Sequence, residues 1–447
     1  MNARDGAVKA LLCVQEEGGY SNIVVEELLS KTPLAAQDRA LASRLIYGVT
    51  ERRLTLDYLL NKTSTTPVKM MDTTIREILR VGVYQLVYMD KIPPFAAINE
   101  AVRQTRSFGV GRLSGFVNGV LRRVSAEADK LLAGLPKTDK GLEIRYSLPR
   151  AWIRAWRDAY GEETMQGLLA HLNNAPPSYI RVNTLKTTAE QLRERMEAQG
   201  ITCRAVEGLP NAYCISPASA LHTLPKELET HYYFQDVASQ WSCLALGARP
   251  DEKIADLCAA PGGKTMTVTQ YMGNRGEVLA GDIHDHKCRA LSDRVEHYGA
   301  TCIRVHLRDA SQPPSAEELS AFDRVLCDVP CSGMGVIRRK PEIRYKQGES
   351  FSDLPALQLK ILEQGAAMVR PGGVLQYSTC TLRLEENEQV TAAFLAAHPE
   401  FSPRILPLEV CFAASGLAPS HEITLFPHLH GSDGFYIAGF VKDSVNQ

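Results

Sequence analysis

From about residue 237 onward the chain alternates short apolar runs with stretches of helical character, and this alternation constrains the fold more than any other feature. Ile254–Cys258, Glu277–Gly281, Cys302–His306, Arg324–Cys327 and Gly373–Ser378 read as buried strands. The sequence after Gly263, residues 286–298, Ala356–Val369 (opened by Pro355) and Glu385–Ala397 read as helices between and after them. Such a series closes its core as a doubly wound, mostly parallel sheet covered by helices. Ligands of these sheets bind beyond the carboxyl ends of the strands. Cys258, Asp282, Asp309, Asp328 and Cys380 all fall at or just past those ends, which predicts a single site.

The first of these strands runs into Asp256-Leu-Cys-Ala-Ala-Pro-Gly-Gly-Lys-Thr265. Its end resembles a P-loop, but that spacing requires glycine at 258, where Cys258 stands. G-x-G-x-x-G is absent as well. Two adjacent glycines still let the backbone approach a ligand closely, ahead of a helix N-terminus that attracts anionic groups. Asp282 ends the second strand, where a carboxylate can accept both hydroxyls of a ribose. Asp309, past the third strand, would stand near an adenine amino group. An aspartate at a strand end more often caps a helix or turn. Three at successive ends beside a Gly-Gly loop favour a nucleoside-bearing cofactor without a polyphosphate, and S-adenosylmethionine is such a molecule.

Cys331 lies in Asp-Val-Pro-Cys-Ser-Gly (328–333) and Cys380 in Tyr-Ser-Thr-Cys-Thr-Leu (377–382), each after an apolar strand. A ring carbon such as C5 of cytosine is a poor nucleophile until a thiolate adds at C6 and makes C5 enamine-like. After C5 is alkylated, its proton leaves and the thiolate is eliminated, so one hard step becomes several easier ones. The attacking thiol needs a polar or electropositive pocket. At the ends of adjacent strands the two cysteines would share one base, one attacking and the other assisting release. Asp328 would hold protonated N3 or the exocyclic amine, and Pro330 stiffens the loop. A lone cysteine is usually a small buried hydrophobe, and Cys13, Cys203, Cys214, Cys243, Cys288, Cys302, Cys327 and Cys411 are assigned to that use. No His/Cys set completes a metal site around Cys327-x-x-x-Cys331, so no metal is expected.

The N-terminal third reads as a helical bundle. Leu41, Leu45 and Val49 recur every four residues. Ile75, Ile78, Leu79, Val83 and Leu86 form a second stripe, ended before Pro93-Pro94, and Leu113, Phe116, Val117, Val120, Leu121 and Val124 a third. Residues 127–145 read as a charged linker punctuated by Gly134 and Pro136. A small mixed segment follows, with strand-like Tyr179–Asn183, a capping-box spacing at Thr187 and Glu190 before a helix Leu192–Ala198, and short strands at 202–205 and 212–215. The net charge of −1 conceals +5 over residues 1–140 and −6 over the remainder. Bulk charge does not announce a nucleic-acid partner, which would have to meet local basic surface, with this third as the candidate. Arg122-Arg123, on the exposed side of the last stripe, is either a solvated helix end or such a contact. No apolar run approaches the roughly 20 residues that span a bilayer, and the N-terminus has no signal-peptide core. A cytoplasmic protein with reduced thiols is expected.

The three motifs 256–265, 328–333 and 377–382, the last followed by Glu386-Asn387-Glu388, closely resemble the Sun-type family of RNA cytosine-5 methyltransferases. Arg181-Val-Asn-Thr-Leu-Lys186, Phe234-Gln-Asp-Val-Ala-Ser-Gln240 and Asp433-Gly-Phe-Tyr-Ile-Ala438 match further segments of that family; Val329 departs from its usual Ala. Ile92-Pro-Pro-Phe-Ala-Ala-Ile-Asn-Glu-Ala101 and Phe116-Val-Asn-Gly-Val-Leu-Arg-Arg123 resemble the NusB-type helical RNA-binding domain. The resemblance implies three parts: an all-α NusB-like N-terminal bundle (1–140), a small α/β, RRM-like subdomain (145–236), and an α/β, Rossmann-like class I methyltransferase domain (237–447). It implies transfer of methyl from S-adenosylmethionine to C5 of a cytosine in 16S rRNA, with naked or early-assembly RNA as partner and a monomer as enzyme. By residue it implies Cys380 as nucleophile and Cys331 for release. Cys258, Ala259, Ala260, Pro261, Gly262, Gly263, Lys264, Asp282, Asp309 and Asp328 would line the cofactor and base site. RNA contacts are expected from Arg181, from Arg338-Arg339-Lys340 with Tyr345, and from the helical domain; a stacked target would be flipped out. The alternatives are a tRNA cytosine-5 methyltransferase, against which the helical domain argues, and a non-catalytic, antitermination-like RNA-binding factor. The second would be expected to have lost a cysteine or the Gly-Gly loop, and neither is lost.

Overall fold

The computed structural model describes residues 2–17, 35–346 and 351–444. Two compact units partition the chain: Met1–Asn173 with Arg339–Lys346, and Asn174–Arg338 with Gln347–Gln447. Among the described residues no helix is long and apolar enough to cross a membrane.

The first unit is helical: α1 (Ala3–Glu17), α2 (Ala36–Thr63), α3 (Thr73–Tyr88), α4 (Pro94–Ser107), α5 (Ser114–Ala133), α6 (Asp139–Tyr146) and α7 (Arg150–His171). The stripes expected from sequence supply the core, where Leu45, Val49, Ile78, Leu79, Val83, Val117, Leu121 and Val124 are buried together. Asp72 starts α3 by accepting the main-chain N–H groups of Thr74 and Ile75 at 2.9 and 3.2 Å. The linker expected at 127–145 is instead ordered helix on both sides of a short turn. Ala128 is buried and Leu131 and Leu132 pack on the core, while Leu135, Leu142 and Ile144 are buried beyond Gly134. Charges between these residues hide an apolar face that the linker reading overlooked. The compact unit thus runs past residue 140 to Asn173.

Residues 339–346 belong to this unit through a 3-10 turn, Pro341–Tyr345. Arg344 is fully buried and donates to Asn173 Oδ1 at 2.8 Å and to the carbonyls of Leu172 and Glu51 at 3.1 and 3.2 Å. The Tyr345 hydroxyl meets Ser147 Oγ at 2.9 Å, and the Arg53 guanidinium stacks 3.6 Å from its ring centroid. Tyr345, expected beside RNA, is therefore a packing residue of the helical unit. Arg339 and Lys340 at its edge are exposed.

The second unit begins with a four-stranded antiparallel sheet of order β2-β3-β1-β4, from β1 (Ser178–Val182), β2 (Thr202–Ala205), β3 (Ala212–Ser216) and β4 (Tyr232–Phe234). Helix α8 (Ala189–Glu197) contributes Leu192 and Met196 to its core. The capping box is one residue later than expected. Thr188 Oγ1 accepts the Gln191 N–H and Gln191 Oε1 accepts the Thr188 N–H, at 3.3 and 3.4 Å.

The larger sheet has the order β10-β12-β9-β8-β5-β6-β7, with β11 paired to β12. Its strands are β5 (Lys253–Asp256), β6 (Glu277–Asp282), β7 (Ile303–Leu307), β8 (Phe322–Asp328), β9 (Val369–Thr379), β10 (Phe401–Pro403), β11 (Glu422–Leu425) and β12 (Phe435–Lys442). Strands β9, β8, β5, β6 and β7 are parallel neighbours, and β12 runs antiparallel to β9. Helices α9 (Val237–Leu246), α10 (Gly263–Tyr271), α11 (Asp285–Tyr298), α12 (Leu354–Met368) and α13 (Glu388–Ala397) belong to the same unit, as do the short α14 (Glu409–Ser415) and α15 (Pro427–His430). The chain leaves β5 toward β6 and β7, then returns to build β8 and β9 on its other side. The switch point thus lies at the carboxyl end of β5, where the Gly-Gly loop begins. The helix expected at Glu385–Ala397 is broken. A 3-10 turn covers Leu384–Glu386, and Asn387 leaves helical geometry to accept from Thr379 Oγ1 at 2.6 Å and donate to the Thr381 carbonyl at 3.1 Å.

Candidate active site

The loop after β5 turns sharply at Gly262, whose φ of +97° only glycine adopts readily; a Cβ there would lie 2.3 Å from Leu291 Cδ1. Ala259 N–H donates to the Gly281 carbonyl at 2.8 Å, tying the loop to the end of β6. Asp282 is buried at that end, accepting the His284 N–H at 3.0 Å, and the next residue, Ile283, stays 56% exposed. Asp309 sits in a turn, where Ser311 Oγ and N–H bond its carboxylate at 2.7 and 2.9 Å and hold it below the usual range. It therefore does the capping work weighed against the cofactor reading.

Asp256, which closes β5, carries no mark in the sequence pattern. It accepts from Thr265 Oγ1 at 2.8 Å, while its buried Oδ1 has no hydrogen-bond partner among the described residues. Burial pushes this carboxyl up to about 7. A group raised in this way favours the fold while protonated and loses that advantage as pH rises through about 7. Asp256→Asn is thus expected to melt like wild type near pH 4 and to be more stable by about 2–4 kcal/mol near pH 8.5. Thermal unfolding at the two pH values checks this.

A turn that requires glycine, a carboxyl oxygen without a hydrogen-bond partner among the described residues and the Asp282 carboxylate beside an exposed Ile283 fit a nucleoside joined to an amino acid through sulfur. Cys258, lining the loop, is held as a neutral thiol chiefly by burial.

Lys264, the first side chain past the glycines, donates to Asp328 Oδ2 at 2.6 Å, and Ser378 Oγ donates to Asp328 Oδ1 at 2.7 Å. Burial alone would lower the Lys264 ammonium, but the Asp328 carboxylate outweighs it, so the lysine stays charged. It rests 5.0 Å from the ring centroid of Phe435.

The ends of β8 and β9 bring the two motif cysteines together: Cys331 Sγ and Cys380 Sγ are 3.3 Å apart. Their loops are cross-tied. Val329 N–H reaches the Ser378 carbonyl at 3.1 Å, Gly335 N–H reaches the Cys380 carbonyl at 3.0 Å, and Ser332 Oγ meets Thr381 Oγ1 at 2.7 Å. The hydrogen bond with Cys380, then burial, then the negative charges of Cys380 and Glu386 push the Cys331 thiol well up. Cys331 is therefore the member of the pair that keeps its proton.

Two residues expected to touch RNA do not face solvent. Arg181 is 1% exposed, donating to Gln270 Oε1 at 3.0 Å and to the Pro210 carbonyl at 2.8 Å. Arg338, its side chain 6% exposed, donates to the Ser432 carbonyl at 2.6 Å and pairs with Asp433. Both guanidiniums join distant backbone segments, a use that a basic residue in a motif does not reveal. Among the described residues no cluster of His, Cys, Asp and Glu is arranged to hold a metal.

Comparison with known proteins matches three family models: the NusB family over residues 1–126, the ferredoxin-like domain of RsmF/B-like methyltransferases over 148–222, and the 16S rRNA methyltransferase RsmB/F over 243–441. The chain is 33% identical to a probable ribosomal RNA small subunit methyltransferase B of Bacillus subtilis, over 99% of each chain. It is 32% identical to the protein of the same description in Synechocystis, over 99% of this chain and 100% of that one. The crystal structure of PH0851 superposes with a TM-score of 0.81 at 25% identity, covering 98% of this chain and 99% of that one. With its NusB-like bundle, ferredoxin-like sheet and parallel-sheet domain built for S-adenosylmethionine, the chain belongs to the ribosomal RNA small subunit methyltransferase B family.

Proposed function

We propose that the protein methylates C5 of a cytosine in 16S rRNA through a covalent adduct between Cys380 and C6 of the base. The observation that carries this reading is the pair of sulfurs 3.3 Å apart at neighbouring strand ends, of which Cys331 is held protonated, beside the Lys264–Asp328 ion pair. S-adenosylmethionine supplies the methyl group, activated on a sulfonium.

Residues 258–264, with Asp282, would hold that cofactor, and Asp309 would flank it. Asp328, held by Lys264 and Ser378, would accept from protonated N3 or the exocyclic amine of the base. A proton taken up by N3 from solvent and held there by Asp328 would draw electrons from the ring, so that the Cys380 sulfur forms a bond to C6 as the C5–C6 double bond moves its electrons toward C5. C5, now electron-rich, is the atom methylated. Release requires loss of the C5 proton to a base, re-formation of the C5–C6 double bond and departure of the Cys380 thiolate. Cys331, 3.3 Å from that sulfur and held protonated, would stabilise the thiolate with its S–H. Phosphate contacts are assigned to Arg339 and Lys340 and to Arg122 and Arg123, all exposed. RNA free of most ribosomal proteins is the expected substrate, and a monomer the expected enzyme.

The test is incubation of the purified protein with unmodified 16S RNA and methyl-labelled S-adenosylmethionine, followed by bisulfite sequencing. One protected cytosine carrying the label is expected. Label on another atom or base, or none in 16S RNA, overturns the reading.

A further inference from the structure

Glu386 follows the second cysteine motif and has no part in the chemistry above. Its side chain is fully buried. Oε2 accepts the Ser332 main-chain N–H at 2.8 Å and Gln358 Nε2 at 3.0 Å, and Oε1 accepts Arg383 Nη1 at 3.0 Å. The same Gln358 amide donates to the Pro330 carbonyl at 2.9 Å. Carboxylate and amide together thus grip the chain on both sides of Cys331. The Glu386 charge is compensated by Arg383 on one oxygen, while its other oxygen holds the Cys331 loop.

We infer that Glu386 is the positioning residue that makes the two thiols unequal, fixing Cys331 against Cys380 and keeping Cys331 the proton-bearing partner while Cys380 attacks. The inference rests on the two-cysteine reading. The charged and titratable groups that act on the Cys331 thiol are Cys380 and Glu386, and Tyr377 of β9 interacts with it; Arg383 pairs with Glu386 at 3.0 Å, and Lys264 interacts with Cys380 and with Asp328. Of these, Glu386 both bonds the Cys331 loop and carries a charge that opposes ionisation of Cys331.

Glu386→Gln keeps an oxygen for Ser332 and removes the charge. In a Cys380→Ser background, the pH midpoint for iodoacetamide alkylation of Cys331 is expected to fall by about one unit on this change. A residue that only braces the loop would leave the midpoint unmoved. With Cys380 intact, Glu386→Gln is expected to lower methylation by about tenfold to a hundredfold and to accumulate protein–RNA adduct. Glu386→Asp, which keeps the charge, should keep the midpoint and recover part of the activity. A midpoint within about 0.2 units of its parent, or wild-type turnover without adduct, overturns the inference. Cys331→Ala run alongside separates the failures. Adduct from that variant but not from Glu386→Gln removes the role of Glu386 alone. Adduct from neither removes the two-cysteine mechanism, while the alkylation midpoint still judges Glu386. Should Glu386→Gln not fold, Glu386→Asp is compared with wild type: some adduct is expected as Ser332 slips out of reach, and full turnover without any is the contrary result.

Discussion

Replacing Cys331 with alanine is expected to leave the protein joined covalently to its RNA, while replacing Cys380 with alanine should abolish both adduct and methylation. The two sulfurs are 3.3 Å apart, so a simple proximity argument would make them interchangeable. The electrostatics separate them. Cys331 is held as a thiol by its hydrogen bond to Cys380, by burial and by Glu386, whereas Cys380 lies toward the Lys264 ammonium. On the proposed mechanism, loss of Cys380 takes away the attacking sulfur, and methylation should fall by about 10⁴-fold or more. Loss of Cys331 leaves addition and methylation possible but takes the S–H from beside the departing sulfur, so the intermediate should outlive the assay. Denaturing gels of labelled 16S RNA incubated with each variant and S-adenosylmethionine distinguish the cases. Normal turnover by Cys331→Ala with no retarded band would refute the division of labour.

The strands and their order of chemistry were legible because a buried parallel strand writes itself as a short apolar run, and the site of such a sheet must lie at the strand ends. That logic singled out Cys258, Asp282, Asp309, Asp328 and Cys380 as candidates. It failed where a residue's use depends on what a distant segment brings to it. Arg181 and Arg338 carry charge inside motifs and look available to RNA, yet Gln270 and the Pro210 carbonyl claim one and Ser432 and Asp433 the other. Residues 127–145 look like a linker because their charges are conspicuous and their buried Ala128, Leu135, Leu142 and Ile144 are widely spaced. Tyr345 and Arg344 lie just beyond the Cys331 motif but pack into the helical unit, and no local pattern signals that change of allegiance. Asp256 and Asp282 both end a strand and both are buried, so only their partners tell them apart: Thr265 Oγ1 and an oxygen without a hydrogen-bond partner among the described residues for one, the His284 N–H for the other.

Gly335→Ala is expected to be among the most damaging single-atom-group additions to the second unit, although nothing in the local sequence marks that glycine. A Cβ at Gly335 would lie 1.9 Å from the Gly434 carbonyl oxygen and 2.8 Å from the Cys380 carbonyl oxygen. Both obstacles are backbone, so neither can rotate away. The same crossing holds two hydrogen bonds, Gly335 N–H to Cys380 O at 3.0 Å and Gly434 N–H to Gly335 O at 2.9 Å. An alanine must part the Cys331 loop from the Cys380 loop or from the closing Asp433-Gly434-Phe435 segment, and either movement shifts the two sulfurs relative to each other. The expected cost is about 3 kcal/mol in stability and about a hundredfold in methylation. Gly119→Ala provides the contrast: the glycine lies within α5 with nothing within 4 Å of its Cβ position, so the change should raise stability by about 0.5–1 kcal/mol through helix propensity. Thermal unfolding and methylation assays on the pair test the argument. A Gly335→Ala protein that melts and methylates like wild type would mean that the three loops do not cross at this glycine as the structure shows.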